Sequence, residues 1–224
     1  MFKYCTGFDG QTTSSWNLSS LAIGTGTFYG TQGLTTLNVS NWLPDSLTSP
    51  SSMFRDNPNF EGNGVENWNI NPACTNLSAM FYNCDAFTGD VSNWDVSNVT
   101  SFSTLFYHIE SGPTNTIDVS NWNTQSLTTV TNMFAYVSAD WDPTNWDVSN
   151  INTGFNNWTI GNGAQTWDQT RLDNVFAAWG AQTVQNGNTL IIDTNGNASA
   201  PTSGAALTGY NNLINNYNWT ITIQ

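Results

Sequence analysis

The sequence predicts a tandem-repeat solenoid that is closed at its C-terminal end by a small α/β segment. Three observations predict it: a tryptophan that returns about every 26 residues, a phenylalanine that returns in parallel with it, and a change of pattern after residue 166. We therefore divide the chain into a repeat solenoid of about six coils over residues 1–166 and a capping segment over residues 167–224.

The tryptophans of the repeat are separated by 26, 26, 26, 28 and 24 residues; they are Trp16, Trp42, Trp68, Trp94, Trp122 and Trp146. The last two intervals deviate in opposite directions, as an insertion in one repeat and a matching deletion in the next would produce. We expect the rings to form a buried column. An asparagine precedes five of them, and we expect these amides to form a hydrogen-bonded ladder between repeats: Asn41, Asn67, Asn93, Asn121 and Asn145.

A phenylalanine, often preceded by Met or Leu, forms the second ladder: Phe2, Phe28, Phe54, Phe81, Phe106, Phe134 and Phe155. In the clearest repeat, residues 91–106, the letters VSNWDV alternate apolar and polar residues, which is the period of a half-buried strand. Ser97 then serves as a candidate N-cap, and Phe102 and Phe106 follow at helical spacing. Each repeat is therefore predicted to contain a short strand and a short helix, which bury an apolar face only when neighbouring repeats lie on it.

The capping segment predicts two helices and two strands in alternation. Residues 168–182 and 205–217 place apolar residues at helical spacing, and residues 189–194 and 219–223 have strand patterns. We expect this segment to cover the last repeat, whose backbone edge would otherwise pair with other chains. At the other end, Met1 and Phe2 coincide with the Met-Phe step of the repeat, so we expect a partner to dock there; the alternatives are that the sequence is a fragment or that the first repeat covers itself.

Composition excludes several classes of function. Only Lys3, Arg55 and Arg171 oppose 16 acidic residues, and the formal net charge is -13. Nucleic-acid binding depends on basic residues that neutralise phosphates, so we expect none. We also expect no membrane insertion, because no apolar stretch reaches the length of a span. The three cysteines form no CxxC pair and are interpreted as buried thiols rather than redox groups.

Residues that could carry chemistry are few, and we predict no catalytic site, cofactor or metal. His108, the single histidine, aligns with Asn83 and is interpreted as a loop residue. Asp95 and Asp147 share a register at which other repeats have asparagine, which indicates a turn. A loose cation site at Asp193, with the asparagines that follow it, stays open, as does a carboxylate pair of the kind that cleaves glycans.

Three aromatic residues lie off the register of the ladders: Tyr136, Trp141 and Trp158. If their rings are exposed, they can stack on a sugar or anchor a protein partner. They are therefore the candidate binding residues.

Residues 94–100, WDVSNVT, taken with Met80-Phe81 and its counterparts, resemble the BspA-like surface-protein repeats, which are leucine-rich-like repeats of the DUF285 type. The resemblance covers about residues 1–155, and the C-terminal segment is similar to the closing segment of such proteins in marine-phage tail or fibre genes. The resemblance implies surface display and adhesion, and it implies no catalytic site that the family shares.

From this resemblance we expect a non-catalytic virion surface protein of a bacteriophage, assembled in the host cytoplasm. It would be a tail or fibre receptor-binding component or a capsid decoration protein. Its partners would be other virion proteins at the N-terminal coil and a host surface receptor or glycan, and the fibre context implies a homo-oligomer, with a trimer favoured. The alternatives are a bacterial cell-surface adhesin domain and a glycan-degrading, tailspike-like enzyme.

Overall fold

The computed structural model of the chain describes residues 2–11, 13–42, 45–112, 114–158 and 167–224. Its helices and strands lie at the C-terminal end: α1 (Gln169–Trp179), β1 (Thr189–Ile192), α2 (Gly204–Tyr217) and β2 (Thr220–Ile223). Before α1, the described residues form turns, isolated parallel bridges and three 3₁₀ helices, at Thr13–Ser15, Val65–Asn67 and Phe155–Asn157.

The C-terminal segment is a small α/β unit whose four elements lie at the predicted places, with bounds that differ from the predicted ones by up to three residues. Strands β1 and β2 pair in parallel, with Thr189 opposite Thr220, and α2 connects them. Helix α1 begins after Asp168, whose carboxylate accepts a hydrogen bond from the Arg171 N–H at 2.8 Å. Helices α1 and α2 touch at Gly209, where an added Cβ would lie 2.0 Å from the Phe176 carbonyl oxygen.

The strand predicted for each repeat is wrong in the described residues. The VSNW segment closes as a turn, in which the Trp94 N–H donates to the Val91 carbonyl at 3.1 Å. Five other tryptophans make the same bond to the residue three positions earlier: Trp16, Trp42, Trp68, Trp122 and Trp146. The spacing of Val and Trp is therefore produced by a turn that points both side chains inward.

The helix predicted for each repeat is also wrong, because residues with positive φ interrupt the chain on both sides of the phenylalanine ladder. They occur in pairs four positions apart: Gly26 and Gly30, Ser52 and Asp56, Ala79 and Asn83, Thr104 and His108, and Asn132 and Tyr136. A right-handed helix cannot pass through left-handed residues. The apolar residues that suggested a helix lie instead on a series of turns, which direct their side chains into the core.

Backbone hydrogen bonds connect successive repeats at the phenylalanine ladder. The Phe28 N–H donates to the Met53 carbonyl at 2.9 Å, and the Phe54 N–H donates to the Met80 carbonyl at 3.1 Å. The intervening N–H groups close turns within one repeat, as Tyr29 does on the Gly26 carbonyl at 3.3 Å. Alternate peptide groups thus bond between and within repeats, which satisfies a backbone that lacks regular structure.

The two aromatic ladders form the core between repeats. Successive phenylalanine rings from Phe2 to Phe134 lie 5.5 to 6.1 Å apart and nearly parallel. The tryptophans from Trp42 to Trp146 are at most 3% exposed, whereas Trp16 is half-buried. Each indole N–H donates to the preceding repeat, as Trp94 does to the Val65 carbonyl at 2.9 Å. The same bond is made by Trp68, Trp122 and Trp146 to Val39, Val91 and Val119.

The asparagines that precede these tryptophans do not form the predicted ladder. All five are exposed: Asn41, Asn67, Asn93, Asn121 and Asn145. The Asn67 amide donates to its neighbour Glu66 at 3.4 Å, and the Asn145 amide reaches the Ser120 carbonyl of the preceding repeat at 3.4 Å. Because these amides face solvent, burial does not require them to pair with one another.

Side chains of the C-terminal segment bind the backbone of the last repeat. The Gln182 side chain accepts from the Val148 N–H and donates to the Trp146 carbonyl, both at 2.8 Å. The Trp179 indole donates to the Pro143 carbonyl at 3.3 Å and so occupies the place that the tryptophan of a further repeat would have. The segment therefore supplies the partners that a following repeat supplies elsewhere.

Candidate binding surface

Two of the three candidate binding residues belong to the core, which corrects the prediction. Trp141 and Trp158 are both 0% exposed. Trp141 stacks on Phe134 at 3.9 Å, as Phe87 stacks on Phe81 at 4.3 Å in an earlier repeat. Trp141 looked irregular because it follows Phe134 by seven residues, whereas Phe87 follows Phe81 by six.

Trp158 also corrects the end of the phenylalanine ladder. Its ring lies 6.1 Å from those of both Phe134 and Trp146, whereas Phe155 packs against Trp179 and Trp219 in the C-terminal segment. Trp158, not Phe155, follows Phe134 in the column.

The third candidate, Tyr136, is 42% exposed and lies at one end of a row of side chains on the surface. We call this row the tyrosine ladder; it contains the residue after each of the first five ladder phenylalanines, together with Tyr136: Lys3, Tyr29, Arg55, Tyr82, Tyr107 and Tyr136. It includes two of the three basic residues of the chain. Sequence reasoning missed it, although its positions could be read from the phenylalanine register.

Neighbours in the tyrosine ladder contact one another through ring faces from Lys3 to Tyr107, whereas Tyr107 and Tyr136 meet edge to face at 5.4 Å. The Lys3 ammonium lies 4.6 Å and the Arg55 guanidinium 5.3 Å from the centre of the Tyr29 ring, and Arg55 is 4.0 Å from that of Tyr82. Tyr82 then stacks on Tyr107 at 4.4 Å. Cations and aromatic rings attract each other in this geometry, which favours the observed arrangement of the row. Lys3 and Tyr136 are exposed, and the residues between them are half-buried.

The hydroxyls of Tyr29 and Tyr107 stay protonated at neutral pH. A hydrogen bond with Tyr4 is the largest cause that raises the pKa of Tyr29, and burial is the largest cause that raises the pKa of Tyr107. Each hydroxyl can therefore donate and accept hydrogen bonds at the surface.

A polar groove of about 450 Å³ runs beside the tyrosine ladder. We call it the groove; it is lined by Tyr4, Gly30, Gln32, Asp56, Pro58, Asn83, Asp85 and His108. The Tyr4 ring, 61% exposed, stands at one end. Gly30 has φ +65, and a Cβ there would lie 2.6 Å from the Tyr4 ring, so a larger residue would have to displace this exposed ring.

Hydrogen bonds orient the polar side chains of the groove. The Asn83 amide donates to the Asp56 carboxylate at 2.8 Å, and His108 Nδ1 lies 3.0 Å from the Asp85 carboxylate. His108 Nε2 is also 3.5 Å from Glu110. Asn83 and His108 both have positive φ, in keeping with the predicted equivalence of these two positions.

The carboxylates considered for catalysis serve as turn residues or form an ion pair. Asp95 and Asp147 each accept a hydrogen bond from the backbone N–H two residues later, at 3.0 and 2.9 Å. The Ser97 hydrogen bonds lower the pKa of Asp95, which favours its ionised form. Asp140 forms a two-pronged ion pair with Arg171, with a closest distance of 2.6 Å.

At the cation site considered at Asp193, the polar side chains form hydrogen bonds within a turn. Asp193 accepts from the Asn195 N–H at 3.0 Å, and the Asn197 amide donates to the Thr194 carbonyl at 2.9 Å. The described part of the chain contains no group of three or more His, Cys, Asp or Glu residues that could hold a metal ion.

The cysteines differ in environment. Cys74 and Cys84 are buried, and burial raises the pKa of both thiols, that of Cys84 strongly. Cys5 is exposed, which corrects the expectation that it is buried like Cys84.

The predicted docking position at the start of the chain is only partly visible, because Met1 lies outside the described residues. Phe2 is half-buried and stacks on Phe8 at 4.4 Å and on Phe28 at 5.5 Å. Docking of a partner there stays a prediction.

Within the described ranges, neither helix has the length and apolar character required to cross a bilayer.

Comparison with known families gives one match. The family model described as "Mycoplasma protein of unknown function, DUF285" matches residues 1–115 and 49–170, which together include both ladders and end at the start of α1. Neither the curated proteins nor the solved structures contain a match to the chain.

Proposed function

The chain belongs to the DUF285 family of BspA-like repeat proteins, and on that premise we propose that it is a non-catalytic surface protein that acts by binding. Its repeats form a solenoid that serves as a rigid scaffold, and the tyrosine ladder is the surface that it presents.

The observation that carries this proposal is the composition of the tyrosine ladder. Tyrosine and arginine are enriched in the residues that dominate binding energies, because they combine apolar area with hydrogen bonding. The stacking between Arg55, Tyr82 and Tyr107 already orders these side chains. A partner that binds them therefore loses little free energy to side-chain ordering.

We further propose that the protein is displayed on a bacteriophage particle, as a tail or fibre receptor-binding component or a capsid decoration protein. The net charge of -13 supports this setting, because such a chain does not adhere to packaged nucleic acid. A bacterial cell-surface adhesin is the second candidate, which the family itself favours. In the particle we expect a homotrimer, whose mass by light scattering would be three times the 24.5 kDa of one chain.

Localisation tests the setting. Antibodies against the chain should label purified particles of the phage that encodes it, and mass spectrometry should find it in them. Its absence from purified particles, with presence on the bacterial surface, would overturn the virion assignment in favour of the adhesin.

Binding to host cells tests the role of the tyrosine ladder. Labelled chain should bind the cells, and Tyr107→Ala and Tyr136→Ala should each reduce binding at least about 5-fold, while Asn93→Ala, which alters an exposed amide outside the ladder, should not. Circular dichroism would show that the variants are folded. Equal binding by all folded variants would contradict the assignment of the ladder.

A further inference from the structure

We propose that the groove beside the tyrosine ladder binds an uncharged glycan chain that runs across the repeats. This inference rests on the proposed function, since it names the class of ligand that the displayed surface takes.

The groove has the shape of a site for an extended, repeating ligand. Successive repeats contribute Tyr4, Gly30, Asp56, Asn83 and His108, each two residues after a ladder phenylalanine. The phenylalanine rings beneath are 5.5 to 6.1 Å apart, which gives the approximate interval between neighbouring groove positions. An extended polymer can therefore meet a groove residue at each step, whereas a compact ligand would use one step only.

The backbone holds the groove residues in place. The N–H groups of Asp56, Asn83 and His108 each donate to a carbonyl in the following repeat, at 2.8, 2.9 and 2.9 Å. Their side chains are oriented by the pairs Asp56–Asn83 and Asp85–His108. A site ordered before the ligand arrives loses little free energy on binding.

The side chains fit the hydroxyl groups of sugars. A hydroxyl both donates and accepts, and each pair in the groove places a carboxylate acceptor beside an amide or imidazole that can donate. Gln32 adds another amide with both capacities. The exposed Tyr4 ring offers an apolar face on which the C–H groups of a pyranose can pack, which completes a site for a molecule with polar edges and apolar faces.

Charge argues for an uncharged ligand. The chain carries a net charge of -13, and Asp56 and Asp85 line the groove, so phosphorylated or sulfated ligands are repelled. A cationic peptide would compete with the groups that already lie against these carboxylates. Here Asp56 accepts from Asn83 and lies 3.5 Å from Arg55, and Asp85 is paired with His108.

A glycan panel tests the proposal with the full chain. The probes are neutral β-1,3- and β-1,4-glucans, α-mannan and galactan, with dextran sulfate and a lysine-rich peptide for comparison. We expect binding to at least one neutral glycan and to neither charged probe, with the affinity then measured by titration calorimetry.

Variants assign the binding to the groove. Asn83→Ala and Tyr4→Ala should each weaken the affinity for that glycan at least about 5-fold, because they remove a hydrogen-bond donor or the apolar face. The matched control is Asn152→Ala, which alters an exposed amide in a second polar groove of about 480 Å³, and it should leave the affinity unchanged.

Binding to no neutral glycan, binding to a charged probe alone, or equal loss in Asn152→Ala would overturn the proposal. Cell binding that requires the tyrosine ladder but resists Asn83→Ala and glycosidase treatment would also overturn it, while leaving the proposed function intact. Glycan binding without any cell or particle binding would contradict the proposed function alone.

Discussion

The left-handed residues beside the phenylalanine ladder determine how each repeat bonds to the next. Left-handed conformation costs a non-glycine residue roughly 1–2 kcal/mol. Only one of the five pairs is made of glycines, Gly26 and Gly30, while other repeats use residues as unsuited as the β-branched Thr104 at φ 54. The bonds that these residues direct toward the following repeat offset that cost.

Thr104→Gly should therefore stabilise the protein by about 0.5–1 kcal/mol, because glycine adopts this conformation without strain. Urea unfolding would measure the difference. The control is Ser103→Gly, at a neighbouring residue that is not among those with positive φ, which should lower the stability by a similar amount. Destabilisation by Thr104→Gly equal to that of the control would show that the conformation carries no strain.

The buried Cys84 thiol makes the stability depend on alkaline pH. An unfolded cysteine ionises near pH 8.5. Burial raises the pKa of Cys84 in the folded chain, so above that pH the unfolded state releases a proton that the folded state retains. The free energy of unfolding should therefore fall as the pH rises from about 8.5 to 10.

Cys84→Ala should make this fall less steep, although it lowers stability at pH 7 by removing the contact of the sulfur with the Phe54 carbonyl at 3.1 Å. Cys5→Ala, at an exposed site, should leave the slope as it is. Chemical denaturation between pH 7 and 10 measures how the free energy of unfolding changes with pH. An unchanged slope in Cys84→Ala would assign the pH dependence to other groups.

At the scale of elements, the C-terminal segment replaces a missing repeat with side chains. Gln182 satisfies an N–H and a carbonyl of the last repeat, whereas Gln185 donates to one group among the described residues, the Ser149 carbonyl at 3.0 Å. Two side chains of one type thus differ in the number of backbone groups that they satisfy.

Gln182→Ala should lower the free energy of unfolding by about 1–3 kcal/mol, since it removes two bonds and leaves the N–H of the buried Val148 without this partner. Gln185→Ala removes one exposed bond and should cost about 0.5–1 kcal/mol. Thermal or urea unfolding would rank them, and a larger effect of Gln185→Ala would contradict this account of the junction.

The elements differ in how far the sequence predicts them. The helices α1 and α2 were predictable because their apolar residues recur at helical spacing and Asp168 provides an N-cap. The strand and helix of each repeat were not, because turns give the same apolar spacing. The left-handed positions that cause these turns hold Gly, Ser, Asp, Ala, Asn, Thr, His or Tyr, so they share no residue type.

The candidate site was predictable only in part. Tyr136 was recognised as an aromatic residue outside the register, but Trp141 shares that property and is buried, because an extra residue before it keeps its ring on Phe134. The groove unites residues from four repeats and a fifth position at Tyr4, and no local pattern marks such a surface. It emerges only when positions two residues after each phenylalanine are compared.

On the scale of the whole molecule, acidic residues greatly outnumber basic ones. The chain has sixteen acidic residues and three basic ones, and the phenylalanine and tryptophan ladders of the core carry no charge. Repulsion between carboxylates therefore opposes the folded state, and salt screens it over a Debye length that falls from about 30 Å at 0.01 M to about 3 Å at 1 M.

Raising NaCl from about 0.01 M to about 0.5 M at pH 7 should raise the urea midpoint. The double variant Asp9→Asn, Asp118→Asn should show a smaller rise, since it removes two charges while keeping the side-chain oxygens that accept from Gln11 and Ser120. A midpoint that falls with salt would mean that attractive ion pairs, such as Arg171 with Asp140, outweigh the repulsion.

The direction of the tryptophan hydrogen bonds also affects how the number of repeats can change. Each indole donates backward to a carbonyl that every repeat offers in the same place, and Trp179 uses the last of these carbonyls, at Pro143. A duplicated repeat would thus find its acceptor in the unit before it and offer the same acceptor to the unit after it. Duplication and deletion of whole units can therefore lengthen or shorten the displayed surface, while the terminal module meets the same junction every time.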